Sequence, residues 1–472
     1  MAARVPGALP GTAAGVVPGA VTPSGGAVPG AVSPPAGAAR LFRAADASLA
    51  GHLAAYAALP QISEAEAFIE ELRRSGLEGR GGAGFPVWRK LASVRASAGL
   101  SRPLSSDGTG TGTSTGTGTS TGTPMSRGRA RRTVVVANGA EGEPLSLKDQ
   151  TLLRQAPHLV IDGLLLCAAL VGASTVSLFV SAASHEAVRR ALSERPDAGH
   201  VSLTVAPEAF VAGEATAVAN AVERSVSVPR DHLLHLSQSG IGGRPTLVQN
   251  VETLAQLALV ARFGAEWFRS MGTPDEPGTR LVTVSGDVPV PQVLEVAGAT
   301  PVDAIVAACF PAAPAGHDGS APTAWPGVSA VLVGGYHGGW VPGSAIDLPL
   351  SRAALAVHGA APGAGVVHVL GSHRCGLDAA ARIAHYLAGQ SARQCGPCVN
   401  GLPALADVLT RLAARSRDAR LPAEVVRLAD VVTGRGSCSH PDGTARFVLS
   451  ALTAFDSDVR SHLDGRCEVH AR

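Results

Sequence analysis

Two thiols separated by a single turn are the sharpest chemistry in this chain. Cys395-Gly396-Pro397-Cys398 is a C-x-x-C pair, and a third cysteine follows far downstream in Gly436-Ser437-Cys438. Thiolates in that pattern suit a soft metal or an iron–sulfur cluster. A redox-active C-x-x-C of the thioredoxin type is the alternative, but no such fold is indicated around it. Cys167 and Cys309 lie in apolar surroundings and read as inert core, while Cys375 and Cys467 have no evident assignment.

Two further stretches have the composition of ligand loops. Gly79-Arg80-Gly81-Gly82-Ala83-Gly84 carries little steric bulk and one cation. Its backbone N–H groups could approach an anion closely, although a plain glycine-rich turn reads the same way. Its spacing is neither that of a Rossmann fingerprint nor that of a P-loop. Asn138 to Asp149 follows an apolar run and holds Asn138, Glu141 and Glu143, residues able to hydrogen-bond ring or ribose groups; a solvated surface turn is the alternative. The chain has only two lysines, Lys90 and Lys148, against thirty-seven arginines, and each closes one of these stretches. A lysine kept against that bias suggests a place for a compact ammonium rather than a planar fork.

The elements that must position these residues can be read from periodicity. Residues 1–40 are Gly, Pro, Ala and Val with almost no charge and read as a disordered tail; residues 97–131 are a low-complexity insertion. Ser63 to Leu77 reads as a helix with Ser63 as N-cap and Glu66 completing a capping box. Thr133 to Ala137, Val176 to Ser181 and Val201 to Ala206 read as strands. They alternate with helices at Pro157 to Gly172 and Glu186 to Glu194, and a further helix is expected at Val251 to Phe263. That alternation predicts an α/β domain with a largely parallel sheet over residues 41–275. Strands at Leu281 to Ser285 and Val328 to Val333, with a short helix near Ala304, suggest a small mixed domain over 276–352. From 353 to 472 a strand at Val366 to Leu370 leads into four amphipathic helices, which read as a bundle.

Bulk properties remove other classes. With a net charge of +2 and 4% aromatic residues, neither a basic face nor a base-stacking platform for nucleic acid is implied. The best apolar run, Leu159 to Leu170, is short and carries Asp162, and the N-terminus lacks the apolar core of a signal peptide. A cytoplasmic chain, peripheral on a membrane complex at most, is expected.

Taken in order, G-R-G-G-A-G-F-P, N-x-x-E-G-E-P-x-x-x-K-D, Gly213-Glu214, Pro245 to Thr253, and the C-x-x-C with its distant cysteine make a set. That set resembles the flavoprotein subunit of NADH:quinone oxidoreductase, respiratory complex I, and the related subunits of NAD-reducing hydrogenases and formate dehydrogenases. The resemblance covers residues 63 to 465. It implies an α/β FMN-binding domain, a ubiquitin-like, soluble-ligand-binding β-grasp domain and a C-terminal four-helix iron–sulfur bundle. It further implies hydride transfer from NADH to FMN, then single electrons through a [4Fe–4S] cluster to a partner: a ferredoxin-like or 24 kDa-type subunit, or a quinone reductase. By the same resemblance Gly79, Arg80, Gly81, Gly82, Gly84, Phe85, Lys90, Asn138, Glu141, Gly213, Thr246 and Asn250 would bind cofactor. Glu143 and Glu214 would be catalytic, Glu143 contacting NADH, and Cys395, Cys398 and Cys438 would hold the metal.

The chain departs from this pattern. Ala392 stands where the first cluster cysteine is expected, so the fourth ligand would be another group such as His440 or Cys375, or the site would hold [3Fe–4S] or nothing. Ala140 replaces an expected Asp, Ala215 a Glu and Ser93 an aromatic. Most of these losses fall on the nicotinamide side. They motivate an alternative reading as a divergent electron-relay or assembly subunit that does not oxidise NADH. A sugar or cobalamin binder is the third class, for which the sequence offers no ligating residues.

Overall fold

The computed structural model describes residues 39–100, 132–230, 234–310 and 327–469. The expected insertion at 97–131 lies outside them apart from its first four residues, as does the expected tail apart from its last two.

Three helices open the described chain: α1 (Leu49–Tyr56), α2 (Ala65–Ser75) and α3 (Val87–Ser97). β1 (Thr133–Gly139), α4 (Lys148–Gln155), α5 (Pro157–Val171), β2 (Ala173–Val180), α6 (Ala182–Ser193), β3 (Val201–Val205), α7 (Ala215–Arg224), β4 (Thr246–Asn250) and α8 (Val251–Arg269) follow. The β-branched run Thr133 to Val136 suits a pleated, buried strand. The four strands form a parallel sheet in the order β3-β2-β1-β4. Both faces are covered. Val135 and Ala137 join the core under α5 and α8, while Val134 and Val136 pack with Val218 and Ala219 of α7. The expected parallel α/β sheet is thus present, and the chain reverses direction across it at β1, where ligand crevices form.

A second sheet is built from β5 (Thr279–Gly286), β6 (Gln292–Ala297), β7 (Val328–Val333), β8 (Gly339–Pro342) and β9 (Val366–Gly371), with the short helices α9 (Val302–Ala307) and α10 (Arg352–Leu355). Its order is β6-β5-β9-β7-β8, and only the β5–β9 pair is parallel. The expected range 276–352 therefore leaves out the central strand. Sequence order groups β9 with the bundle because it directly precedes the bundle's helices, but its two-sided apolar pattern places it mid-sheet. Val367 and Val369 face the core under α9, whereas Val366 and Leu370 face the helices beyond.

Those helices are α11 (Gly376–Gly389), α12 (Leu402–Ala413), α13 (Leu421–Val432), α14 (His440–Ala454) and α15 (Asp456–Leu463). The first four are the expected bundle; α15 is an addition. A π-helical turn, Pro397–Gly401, leads into α12. Among the described residues no single helix is long and apolar enough to cross a membrane.

Two local expectations fail. Helix α2 starts at Ala65 with Glu64 flanking it and no side-chain cap, because the Glu66 carboxylate is drawn instead to Arg95 at 3.0 Å. The tail boundary at residue 40 is also displaced. Arg40 is buried, donates its backbone N–H to Glu295 and its guanidinium to the Phe268 carbonyl, and so ties the chain's start to β6 and α8.

Candidate functional site

A cavity of about 640 Å³ opens where the first sheet, the second sheet and the bundle meet. The loops at the C-terminal ends of β1 and β4, the Gly79–Gly84 turn, the Gly334 turn of the second sheet and the segment before α14 all line it. Of the residues singled out in the sequence, Gly79, Arg80, Gly81, Gly82, Gly84, Phe85, Lys90, Asn138, Glu141, Glu143, Gly213, Glu214, Asn250 and Cys438 reach this one space.

Close approach explains several of the glycines. A Cβ at Gly142 would lie 2.3 Å from the Phe210 carbonyl oxygen, and one at Gly213 would lie 2.9 Å from that of Ala140. One at Gly81 would press on Asn250 at 3.3 Å. Gly82 and Gly84 adopt φ of 107° and 63°, which side chains resist.

Lys90 is half-buried on α3 and donates to the Val248 carbonyl, with Gln249 Oε1 at 3.4 Å; among the described residues no carboxylate pairs with it. Burial pushes its pKa down to about 8. A desolvated cation whose partners are neutral oxygens is a site short of an anion. Arg80 adds to that field: its guanidinium donates to the Pro277 and Thr279 carbonyls, and its buried Nε has no partner.

The carboxylates divide by role. Glu141 accepts from the N–H groups of Asp149 and Gln150 and from the Ser146 hydroxyl, capping the start of α4. Glu214 caps α7, accepting from Thr216 and Ala217 N–H. Asn250 caps α8 through Glu252 N–H and donates to Asp149. Asn138 donates to the Gly213 carbonyl at 2.8 Å. Glu143 differs, since it crosses to the second sheet and accepts from Tyr336 N–H at 2.7 Å. Burial raises both Glu141 and Glu143 to about 7, with Asp149 also acting on Glu141. Phe85 is 52% exposed at the rim, a free aromatic face.

Lys148, at the first turn of α4, also lines the cavity. It pairs with Asp149 at 2.6 Å and Glu252 at 2.9 Å, and Glu252 in turn accepts from Leu281 N–H on β5. Burial disfavours its ammonium, but the two carboxylates outweigh that and hold its pKa above the ordinary lysine value. These pairs make it a joint between the two sheets at the edge of the cavity.

Thr246 does not reach the cavity. It begins β4, and its hydroxyl is consumed locally by the Arg244 carbonyl and Ile241 N–H. Conversely, Phe210, His337, Arg352 and Arg446 line the space although the sequence did not single them out. Only the Gly334-Gly335 pair beside His337 carried a signal, a turn able to approach other backbone.

Cys395 precedes the π-turn and Cys398 lies within it, while Cys438 precedes α14 and faces the cavity. The backbone N–H groups of Ser437 and Cys398 and their side chains act on the Cys395 sulfur and offset its burial, leaving its pKa below the usual thiol value. Three soft donors with amide N–H groups aimed at sulfur suit a cluster that is one cysteine short. Neither expected substitute fits as it stands. His440 uses both ring nitrogens, on His337 at 3.0 Å and the Leu387 carbonyl at 2.9 Å. Cys375 caps the opposite end of α11, whose 14 residues span about 21 Å.

An anion-seeking loop cluster at the switch point of a parallel sheet, sharing a cavity with a cysteine loop, defines a nucleotide-cofactor protein with an adjoining thiolate metal site. Residues 110–259 match the Nuo51 FMN-binding domain, and residues 378–462 match the NADH-ubiquinone oxidoreductase-F iron-sulfur binding region. One of the F subunits (F 2) of NADH-quinone oxidoreductase in Rhizobium meliloti is 26% identical over 85% of this chain and 90% of its own length. The corresponding F subunit of Rickettsia felis is 26% identical over 85% and 89%. An NAD+-reducing [NiFe]-hydrogenase structure superposes with a TM-score of 0.69 at 25% identity, over 85% of this chain but 63% of the hydrogenase chain. The chain thus resembles the NADH-quinone oxidoreductase F subunits over most of its length, with one region that matches an FMN-binding domain and a later one that matches an iron–sulfur binding region.

Proposed function

We propose that this chain is the NADH-oxidising, FMN-dependent flavoprotein subunit of a larger oxidoreductase, passing electrons to an iron–sulfur cluster and then to a partner subunit. The observation that carries the reading is the shared cavity: Lys90, Glu143 and Cys438 line the same space, so a flavin there and a cluster on the cysteine loop would be neighbours. When bound, FMN would supply the ability to take two electrons together and release them singly.

The chain's own groups supply position and charge. Lys90 and Arg80 would meet the phosphate, and the backbone of Gly79 to Gly84 allows close approach. Asn138, Gly213 and Asn250 would fix the ring side of the pocket. Phe85 offers a stacking face for a nicotinamide nucleotide. Glu143 would hold a proton near neutrality beside the reacting region, while Glu141 and Glu214 hold the loops by capping helices. Cys395, Cys398 and Cys438 would ligate the cluster, the remaining iron taking a ligand from outside the cysteine set. The second sheet with α9 is read as the β-grasp unit. A quinone as final acceptor and a 24 kDa-type or ferredoxin-like partner fit this reading, as does a peripheral place on a membrane complex.

Absorbance and electron paramagnetic resonance spectra of anaerobically purified protein, before and after NADH, test the proposal. Flavin absorbance that bleaches with NADH, together with a cluster signal, is expected. Absence of flavin after reconstitution with FMN overturns it. The second reading, a relay or assembly subunit, draws on the methyl groups of Ala140 and Ala215 lining the cavity where carboxylates were expected. Sustained reduction of ferricyanide by NADH decides against it.

A further inference from the structure

Two of the four cysteines without a role in this chemistry converge elsewhere. Cys375, His462 and Cys467 are all buried, and one ligand atom from each lies within 4.8 Å of the other two. Cys375 precedes α11, His462 is in the last turn of α15, and Cys467 lies in the turn that follows. The group sits among Leu377, Phe455 and Val459, in the core between the bundle and the chain's C-terminal segment.

Three features point to a cation rather than to packing alone. His462 Nδ1 is 3.1 Å from the Leu412 carbonyl, which assigns the ring proton to Nδ1 and leaves the Nε2 lone pair facing the sulfurs. A carbonyl behind the imidazole is how proteins orient a metal-binding histidine. The Nε2 to Cys375 Sγ distance is 3.5 Å. A tetrahedral ion with Zn–S of about 2.3 Å and Zn–N of about 2.0 Å has an S···N edge of about 3.5 Å. Finally, His462 and Cys467 form a short-range chelating pair with one remote partner, the sequence logic of structural zinc sites.

The structure assigns Cys375, His462 and Cys467 as a zinc-class structural metal site, distinct from the Cys395–Cys398–Cys438 set at the other end of α11. The fourth position goes to an oxygen donor. Asp458, one helical turn before His462, is a carboxylate whose charge acts on Cys375, but it stands outside the three converging residues, so a water completes the shell. Binding would displace the two thiol protons to solvent and leave the metal's oxidation state unchanged. The ion would staple α15, only eight residues long, to the start of α11.

The test uses the full chain with Cys395, Cys398 and Cys438 changed to serine, so that the other thiols cannot compete. After zinc loading and desalting, a single equivalent of zinc per chain is expected, with a first shell of two sulfurs and one imidazole nitrogen by X-ray absorption. Adding Cys375→Ser or His462→Gln should reduce the bound zinc at least tenfold. The absorption measurement needs no further substitution, so it decides even if those variants fail to fold. A shell without sulfur, zinc content unchanged by Cys375→Ser, or a Cys375–Cys467 disulfide in protein kept reduced would each overturn the assignment.

Discussion

Lys90 and Glu143 are cavity-lining side chains whose ionisation burial shifts toward neutral pH. Lys90→Ala removes a half-buried ammonium that would meet an anion. A hydrogen bond to a charged group contributes about 1.5–3 kcal/mol, so FMN affinity should fall roughly ten- to a hundredfold, read by flavin retained on desalting. The apo protein adds a pH signature. With Lys90 held near 8, the unfolded chain alone keeps the proton above that value, so stability rises from pH 8 toward the ordinary lysine pKa. Denaturant unfolding of Lys90→Ala should lack that rise. Glu143 runs the other way. Its folded pKa of about 7 lies above the unfolded value, so the stability tied to its protonated form is present at acid pH and is lost as pH climbs to 7. Glu143→Gln should flatten that loss by about 1 kcal/mol, since the amide oxygen still accepts from Tyr336 and carries no charge. A wild-type slope in the variant would show that Glu143 stays ionised in the fold.

At the scale of elements, the cavity-lining acids Glu141 and Glu214 also cap helices. Glu214→Ala should cost about 1 kcal/mol of stability by freeing the Thr216 and Ala217 N–H groups, and should loosen Gly213 against Asn138. A measured change near zero would leave the cap without weight. Helices α5 and α8 meet through Gly163, where a Cβ would lie 2.0 Å from the Leu254 carbonyl oxygen. Gly163→Ala should therefore separate two core helices and destabilise by about 2 kcal/mol in thermal unfolding. Period and composition revealed three of the four parallel strands, the long apolar helix and the four bundle helices. They did not reveal α1, α3, α4 and α7, which are short and begin beside glycine or acidic residues that look like loop. β4, β6 and β8 were missed because each is only four to six residues long and starts directly after a proline or glycine, which reads as a turn.

Across the whole molecule, the cavity exists only where three units touch. Glu143 reaches Tyr336, the Lys148–Glu252 pair reaches Leu281, and Arg352 reaches the Ala83 carbonyl. A chain ending near Pro277 would keep the first sheet but leave Glu143 and Glu252 without these partners. It should lose FMN retention while keeping helical circular dichroism; flavin binding at full-length affinity would show that the second sheet is dispensable. This convergence is what the sequence could not display. The ligand stretches were legible one by one from glycine, acid and cysteine content, yet nothing local tells that Cys438 shares a wall with Lys90, or that Thr246 points away from both.

The scarcity of lysine gives the molecule an unusual handle. With Lys148 locked between two carboxylates and Lys90 holding a lowered pKa on the cavity wall, Lys90 is the one side-chain amine in nucleophilic form near pH 8. A reductively alkylating reagent, which is selective for amines, should therefore mark Lys90 in preference to Lys148. Protection of Lys90 against such a reagent would report cavity occupancy without any spectroscopic label.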